Sequence, residues 1–452
     1  MYDVVIKRGL IVGGQMGTSK ADLAISGERV AAIGQDLKGK RMIDASGNLV
    51  LPGAIDAHVH MELPVSGTRS SDTFASGTKA AACGGVTTII DFTVGSKESS
   101  IPEDVEKRLD EAKKSHIDYA LHAEVIGWRK SRAWEIPKAT QLGVTSFKFF
   151  TAYGSSGRRT DRGMLFEAFQ VIGELGALAI VHAEDEEIIN CIMSSLKEDE
   201  LGDMTTLAKA RPPLCEATAV SDVIYLAEKA GARAHIVHLS SALGLEAFKR
   251  AKRFYENVTA ETCPQYLLLT KDVYDGEDGH LYSASPALRS SHDTQVLWDA
   301  LMEGEISMIA TDHCPFTREQ KTWKGSFTDL PYGLPGVETA LPLIFSEGVS
   351  KRGLPVEALV RLFAEGPAKI YGLFPQKGAL HIGSDADVVI FDPNEEWTIN
   401  VDNLHMNVDF CPYEGMTVKG RVRTTLSRGE VIYDDGAFTA IEGRGRFLAR
   451  RV

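Results

Sequence analysis

Six residues that could hold metal ions stand where short apolar runs end. They are His58 and His60 in Asp56-Ala-His-Val-His60, Lys148 in Ser146-Phe-Lys-Phe-Phe150, His182 in Ala179-Ile-Val-His182, His238 in Ala234-His-Ile-Val-His238, and Asp312 in Ile309-Ala-Thr-Asp312. Neutral imidazole and carboxylate suit zinc and related divalent ions. His58 and His60 are two apart, so on a strand both rings point to one side. Such a pair alone is more often a core or surface feature; five ligand-type side chains converging at strand ends are hard to explain as structure. His235 and His238 are three apart and should face opposite sides of their strand, so His238 at the end is expected to join the site and His235 to be a packing residue. His313 should turn away from Asp312's side. Lys148 sits among aromatic residues, where an ammonium is costly to bury. It is either paired with a carboxylate or, as a neutral amine favoured by burial, converted by CO₂ into a carbamate that bridges two metals.

Elements of one kind must place these groups. Between residue 52 and about residue 370, short β-rich runs at 54–60, 87–92, 119–125, 146–151, 178–183, 234–239, 258–263 and 307–312 alternate with helix-period segments such as 72–83, 103–114, 164–175, 215–230 and 243–252. Eight βα units in about 320 residues predict an α/β fold of the (β/α)₈ TIM-barrel type, in which strand C-termini carry the chemistry. A doubly wound open sheet is the fallback, but no Gly-rich phosphate turn follows the first strand. Both chain ends are strand-rich and helix-poor. Residues 1–51 plus 371–452 are therefore expected to form one small β domain, and 52–370 the catalytic barrel.

A length of 452 residues accommodates a large and a small domain. The formal charge of −13 and the lack of a Lys/Arg-rich run argue against nucleic acid as a partner. The N-terminus lacks a signal peptide's basic and apolar regions, and no apolar run approaches the ~20 residues that span a bilayer. The six cysteines are scattered without a C-x-x-C pair, which points to reduced thiols in a cytoplasmic protein. Cys314 has no histidine-oriented nucleophile arrangement beside it, so a catalytic thiol is not expected.

These motifs resemble the hydantoinase–dihydropyrimidinase branch of the metal-dependent amidohydrolases. The likeness is carried by Asp56-Ala-His-Val-His60, Phe147-Lys-Phe-Phe-Thr-Ala-Tyr153, Val181-His-Ala-Glu184, Val237-His-Leu-Ser-Ser-Ala242 and Ala310-Thr-Asp-His-Cys-Pro315, and by Glu261-Thr-Cys-Pro-Gln-Tyr-Leu267, Gly383-Ser-Asp-Ala-Asp-Val-Val-Ile390 and Pro412-Tyr-Glu-Gly-Met416. It runs nearly end to end and in one order. The resemblance implies a small β-sandwich built from both termini, two divalent ions (zinc, with manganese as the alternative) and a homotetramer. It places His58 and His60 on one metal, His182 and His238 on the other, carbamylated Lys148 between them, and Asp312 on the first as well as acting as base. It makes Tyr153 the donor to the oxyanion and Ser285 a backbone anchor for a cyclic amide substrate. Leu63 and Phe150 become walls against the ring substituent. The family's second backbone anchor is usually in Pro-Asn-Gly; here Pro331-Tyr332-Gly333 stands instead, and Tyr332 should reshape the pocket.

The reaction so implied is hydrolysis of a ring amide to an N-carbamoyl amino acid. Allantoinase or dihydroorotase activity is the nearest alternative, although dihydroorotase-like sites carry an arginine after His-x-His where this chain has Met61 and Glu62. A single-metal deaminase would lack Lys148, and a non-catalytic dihydropyrimidinase-like scaffold would have lost ligands that are all present here.

Overall fold

The computed structural model describes residues 1–452. Eight parallel strands lie side by side in chain order: Ala54–Val59, Val86–Phe92, Asp118–Glu124, Ser146–Phe150, Leu178–His182, Arg233–Ile236, Val258–Thr262 and Met308–Ile309. The eighth strand returns to the first and closes the ring. His60 N donates to His313 O at 2.8 Å, and Val59 bridges His313 in parallel. Asp56 reinforces the seam by accepting from Thr311 N at 3.1 Å. The architecture is thus a (β/α)₈ barrel, and the doubly wound alternative is excluded.

The helices form where amphipathic period and caps coincide. Thr73 and Ser100 cap Phe74–Cys83 and Ile101–Glu111 with reciprocal capping boxes, satisfying amides that would otherwise lack partners. Gly176 and Gly231 end Arg162–Leu175 and Pro213–Ala230 in left-handed conformation. Inside the barrel, below the site, Ile55, Ala57, Ile90, Ile180, Val237 and Met308 pack together with Tyr371 and Leu373, which plug the lower end.

A second sheet of nine strands takes its members from both chain ends. Tyr2–Gly13, Gly17–Ser26, Arg29–Gly34, Gly39–Asp44 and Leu49–Pro52 join Val388–Thr398, Thr417–Ser427, Glu430–Asp434 and Ala437–Phe438. The ends meet where Leu49–Pro52 pairs antiparallel with Val388–Phe391. Gly39–Asp44 was not legible as a strand, because its Gly-Lys-Arg-Met-Ile-Asp is largely exposed and shows no clean alternation. Near the junction of sheet and barrel, Lys377 Nζ reaches Asp118 and Asp387, each at 2.6 Å, and so ties the third barrel strand to the C-terminal segment. No helix of the structure is long and apolar enough to cross a membrane.

Candidate active site

A cavity of about 520 Å³ opens at the C-terminal end of the barrel strands. The residues expected at the site line it: His58, His60, Lys148, His182, His238 and Asp312, together with Leu63, Phe150, Tyr153, Ser285 and Tyr332. Local backbone devices aim several of them. The ladder between the first two strands shifts register between Asp56 and Val59. Ile55 and Ala57 therefore pack into the interior below while His58 and His60 still face the cavity above. Tyr153, His238 and Asp312 have φ of 71°, 40° and 52°, in the left-handed region that side-chain-bearing residues seldom adopt. Strained backbone of this kind clusters at functional sites.

The left-handed turn at His238 corrects one sequence expectation. The regular strand ends at Ile236, so strict alternation no longer governs His238. His235 and His238 do not face opposite ways: the His235 ring reaches Glu261, the carboxylate that also holds His58, and the His238 ring lies 5.6 Å from the His58 ring. His235 Nε2 lies 3.1 Å from Glu261 Oε2, and His238 N donates to Oε1 at 3.3 Å. His235 is nonetheless a satisfied buried residue, its Nδ1 lying 2.7 Å from Thr259 Oγ1. His313 is held outside the cavity by Asp72 at 3.0 Å.

Two buried carboxylates that the sequence reading did not single out set the histidine tautomers. Glu261 Oε1 accepts from His58 Nδ1 at 2.5 Å, so His58 Nε2 presents its lone pair toward Asp312 Oδ1, 3.2 Å away. Glu184 Oε2 accepts from His182 Nε2 at 2.8 Å, which leaves His182 Nδ1 facing His238 Nε2 at 3.0 Å. Carboxylates behind ligating imidazoles fix tautomer and orientation in this way. A signal was present in the sequence: Glu184 follows His182 by two residues, and Glu261 nears the end of the seventh strand.

The donor set fits divalent ions. The ligand atoms of His58, His60 and Asp312 lie within 4.8 Å of one another. Nδ1 of both His60 and His238 is buried without a hydrogen-bond partner. His182 Nδ1, left with its lone pair by the bond to Glu184, faces His238 Nε2 at 3.0 Å, a pairing of imidazole nitrogens that suits a shared divalent ion. Lys148 is 2% exposed, and its Nζ lies 5.1 Å from the ring centroids of both Phe92 and Phe150. Burial pulls its amine down to about 8, against the opposing pull of Asp312 and Glu261. Burial raises the Asp312 carboxyl, but the imidazoles of His58 and His60 more than offset this and hold it below the ordinary carboxylate value.

Glu184 also organises the substrate side of the cavity. It ion-pairs with Arg211, whose guanidinium lies 5.1 Å from the Tyr153 ring centroid, and it accepts from Ser285 Oγ at 3.3 Å. Tyr153 Oη and Ser285 Oγ are hydrogen-bonded to each other. Burial pushes the Tyr153 phenol above its usual value, so it keeps its proton at neutral pH. Tyr332 directs its hydroxyl away, donating to Phe327 O at 3.0 Å, and offers its ring to the wall.

A (β/α)₈ barrel whose mouth gathers four imidazoles, a carboxylate and a buried lysine defines the class of metal-dependent hydrolases. Within it the chain belongs to the amidohydrolase family, whose profile matches residues 49–432. It is 41% identical over 456 residues to a D-phenylhydantoinase of Escherichia coli, covering 99% of this chain and 98% of the relative. A dihydropyrimidinase structure from Brevibacillus agri is similar at 38% identity and a TM-score of 0.96, over 99% of this chain and 98% of that one. An L-hydantoinase (dihydropyrimidinase) structure from Arthrobacter aurescens is similar at 31% identity and a TM-score of 0.92, over the full length of both chains.

Proposed function

We propose that the protein hydrolyses the cyclic amide bond of hydantoins or dihydropyrimidines and releases N-carbamoyl amino acids. The observation that carries this reading is the convergence of His58, His60, His182, His238, Lys148 and Asp312 on one cavity. The names of the relatives point the same way. His58, His60 and Asp312 would hold one divalent ion, His182 and His238 a second, with zinc the expected metal and manganese the alternative. Lys148, buried between two aromatic rings, is suited to lose a proton, add CO₂ and bridge the pair as a carbamate. Two such ions supply Lewis acidity and lower the pKa of a water toward about 7.

The chain's own groups do the rest. Tyr153 keeps its phenolic proton and can turn it from Ser285 toward the oxygen of the amide under attack. Asp312 takes the proton of the attacking water and passes it to the departing ring nitrogen. Backbone groups of Ser285 and of the turn at Tyr332 hold the ring, while Leu63 and Phe150 meet its substituent. Residues 1–51 with 371–452 form the accessory domain and 52–370 the catalytic one in this reading. All six cysteines are unpaired, which supports a reducing cytoplasm. The homotetramer is carried over from the family resemblance; Leu214, Tyr225 and Leu243, exposed on the adjacent helices Pro213–Ala230 and Ala242–Lys252, are apolar surface open to a subunit contact. The test is turnover of hydantoin, 5-substituted D- and L-hydantoins, dihydrouracil, allantoin and dihydroorotate by zinc- or manganese-loaded enzyme. Ring opening confined to allantoin or dihydroorotate, or none at all, would overturn the proposal.

A further inference from the structure

Lys321 lies beyond the eighth strand and takes no part in the scheme above, yet it is 1% exposed. Burying a lysine amine demands partners for its donors. Its three acceptors are all uncharged oxygens: Leu281 O at 2.8 Å, Ser283 O at 3.0 Å and Ser283 Oγ at 3.0 Å. Ser283 is a junction. Its carbonyl also accepts from Gly333 N at 3.0 Å, and its hydroxyl donates to Pro331 O at 3.1 Å. Two residues beyond Ser283 is Ser285, and between Pro331 and Gly333 is Tyr332; both line the cavity. One buried amine therefore ends a hydrogen-bond network that joins two loops far apart in sequence.

We propose that Lys321 is a positioning residue that clamps residues 281–285 to residues 331–333 and so fixes the wall against which the substrate ring is held. The inference rests on the ring-opening reading of this pocket. Its consequence is specific. Loss of the clamp loosens ring binding in the ground state and the transition state alike, so it appears in KM and leaves the chemical step almost intact. Asp312, the histidines and Lys148 are anchored to other partners, so metal content should not change.

Lys321→Met fills the same space and removes all the donors. The expected result is a KM raised about 10-fold or more with kcat within about 3-fold, the signature of lost uniform binding. Hydrogen exchange should quicken in residues 281–285 and 331–333, including the Gly333 amide, and nowhere else near the site. Gln320→Ala is the control from the same turn, since its side chain bonds instead to Thr68 Oγ1 and Arg69 O. If Lys321→Met does not fold, Ser283→Ala, which cuts the hydroxyl link between Lys321 and Pro331, should shift KM and exchange in the same direction by less. Unchanged exchange in both segments overturns the clamp. Quickened exchange with an unchanged KM overturns its role in holding the ring. Wild-type protein that opens no ring at all overturns the proposed function instead, and exchange then still decides whether Lys321 joins the loops.

Discussion

Glu261 is fully buried and accepts from His58 Nδ1 at 2.5 Å, His235 Nε2 at 3.1 Å and His238 N at 3.3 Å. In Glu261→Gln the amide oxygen can stay toward His58 while His235 reverses its tautomer against the amide nitrogen, so the shape survives and the charge is lost. A hydrogen bond to a charged group contributes about 1.5–3 kcal/mol and a neutral one about 1 kcal/mol. The change at His58 therefore costs about 0.5–2 kcal/mol, or about 2- to 30-fold in affinity for the ion that His58 helps hold. Glu261→Ala additionally leaves the His58 donor without an acceptor in a buried place, and should approach the upper end of the 10- to 100-fold range for such partners. Chelator competition with metal analysis reads the affinity, and excess metal should restore much of the turnover of Glu261→Gln. If both variants keep their metal affinity within about 2-fold of wild type, the argument that Glu261 sets the His58 tautomer for a metal is wrong.

Lys148→Ala should lose at least one bound metal and nearly all activity, with partial rescue by short carboxylic acids; Lys148→Arg should resist rescue because its fixed cation fills the space. Two ions still bound to an active Lys148→Ala would refute the bridging role. Leu63→Ala and Phe150→Ala should change the ranking of bulky against small 5-substituted hydantoins, measured as ratios of kcat/KM; an unchanged ranking would remove both from the substituent wall. Asp104 gives a stability prediction away from the site. Its Oδ2 is buried without a partner, and burial pushes its carboxyl up to about 6 against the opposing pull of Ser99 and Arg132. A raised folded value disfavours the charged form, so this group lowers stability as pH rises through roughly 4 to 6. Asp104→Asn should lack that component and melt higher than wild type at pH 7 but not at pH 4; equal melting differences at the two pH values would contradict it.

The sequence by itself determined the barrel and which ligand-type side chains end its strands. Apolar runs alternating with helical periods are a local record of which faces are buried, and they located all eight barrel strands to within a few residues. The ends of those runs then marked His58, His182 and Asp312 as neighbours, because a closed parallel barrel brings every strand end to one rim. What tertiary structure decided was how the groups are held. The register shift at Asp56–Val59 and the left-handed turn at His238 override the alternation that a straight strand would impose. Spacing hints at Glu184, two residues past His182, but could not match Glu261 to His58, 203 residues away. Period-2 and period-3.6 patterns report burial along one segment, whereas a hydrogen-bond partner is chosen by the register between segments and by closure of the ring.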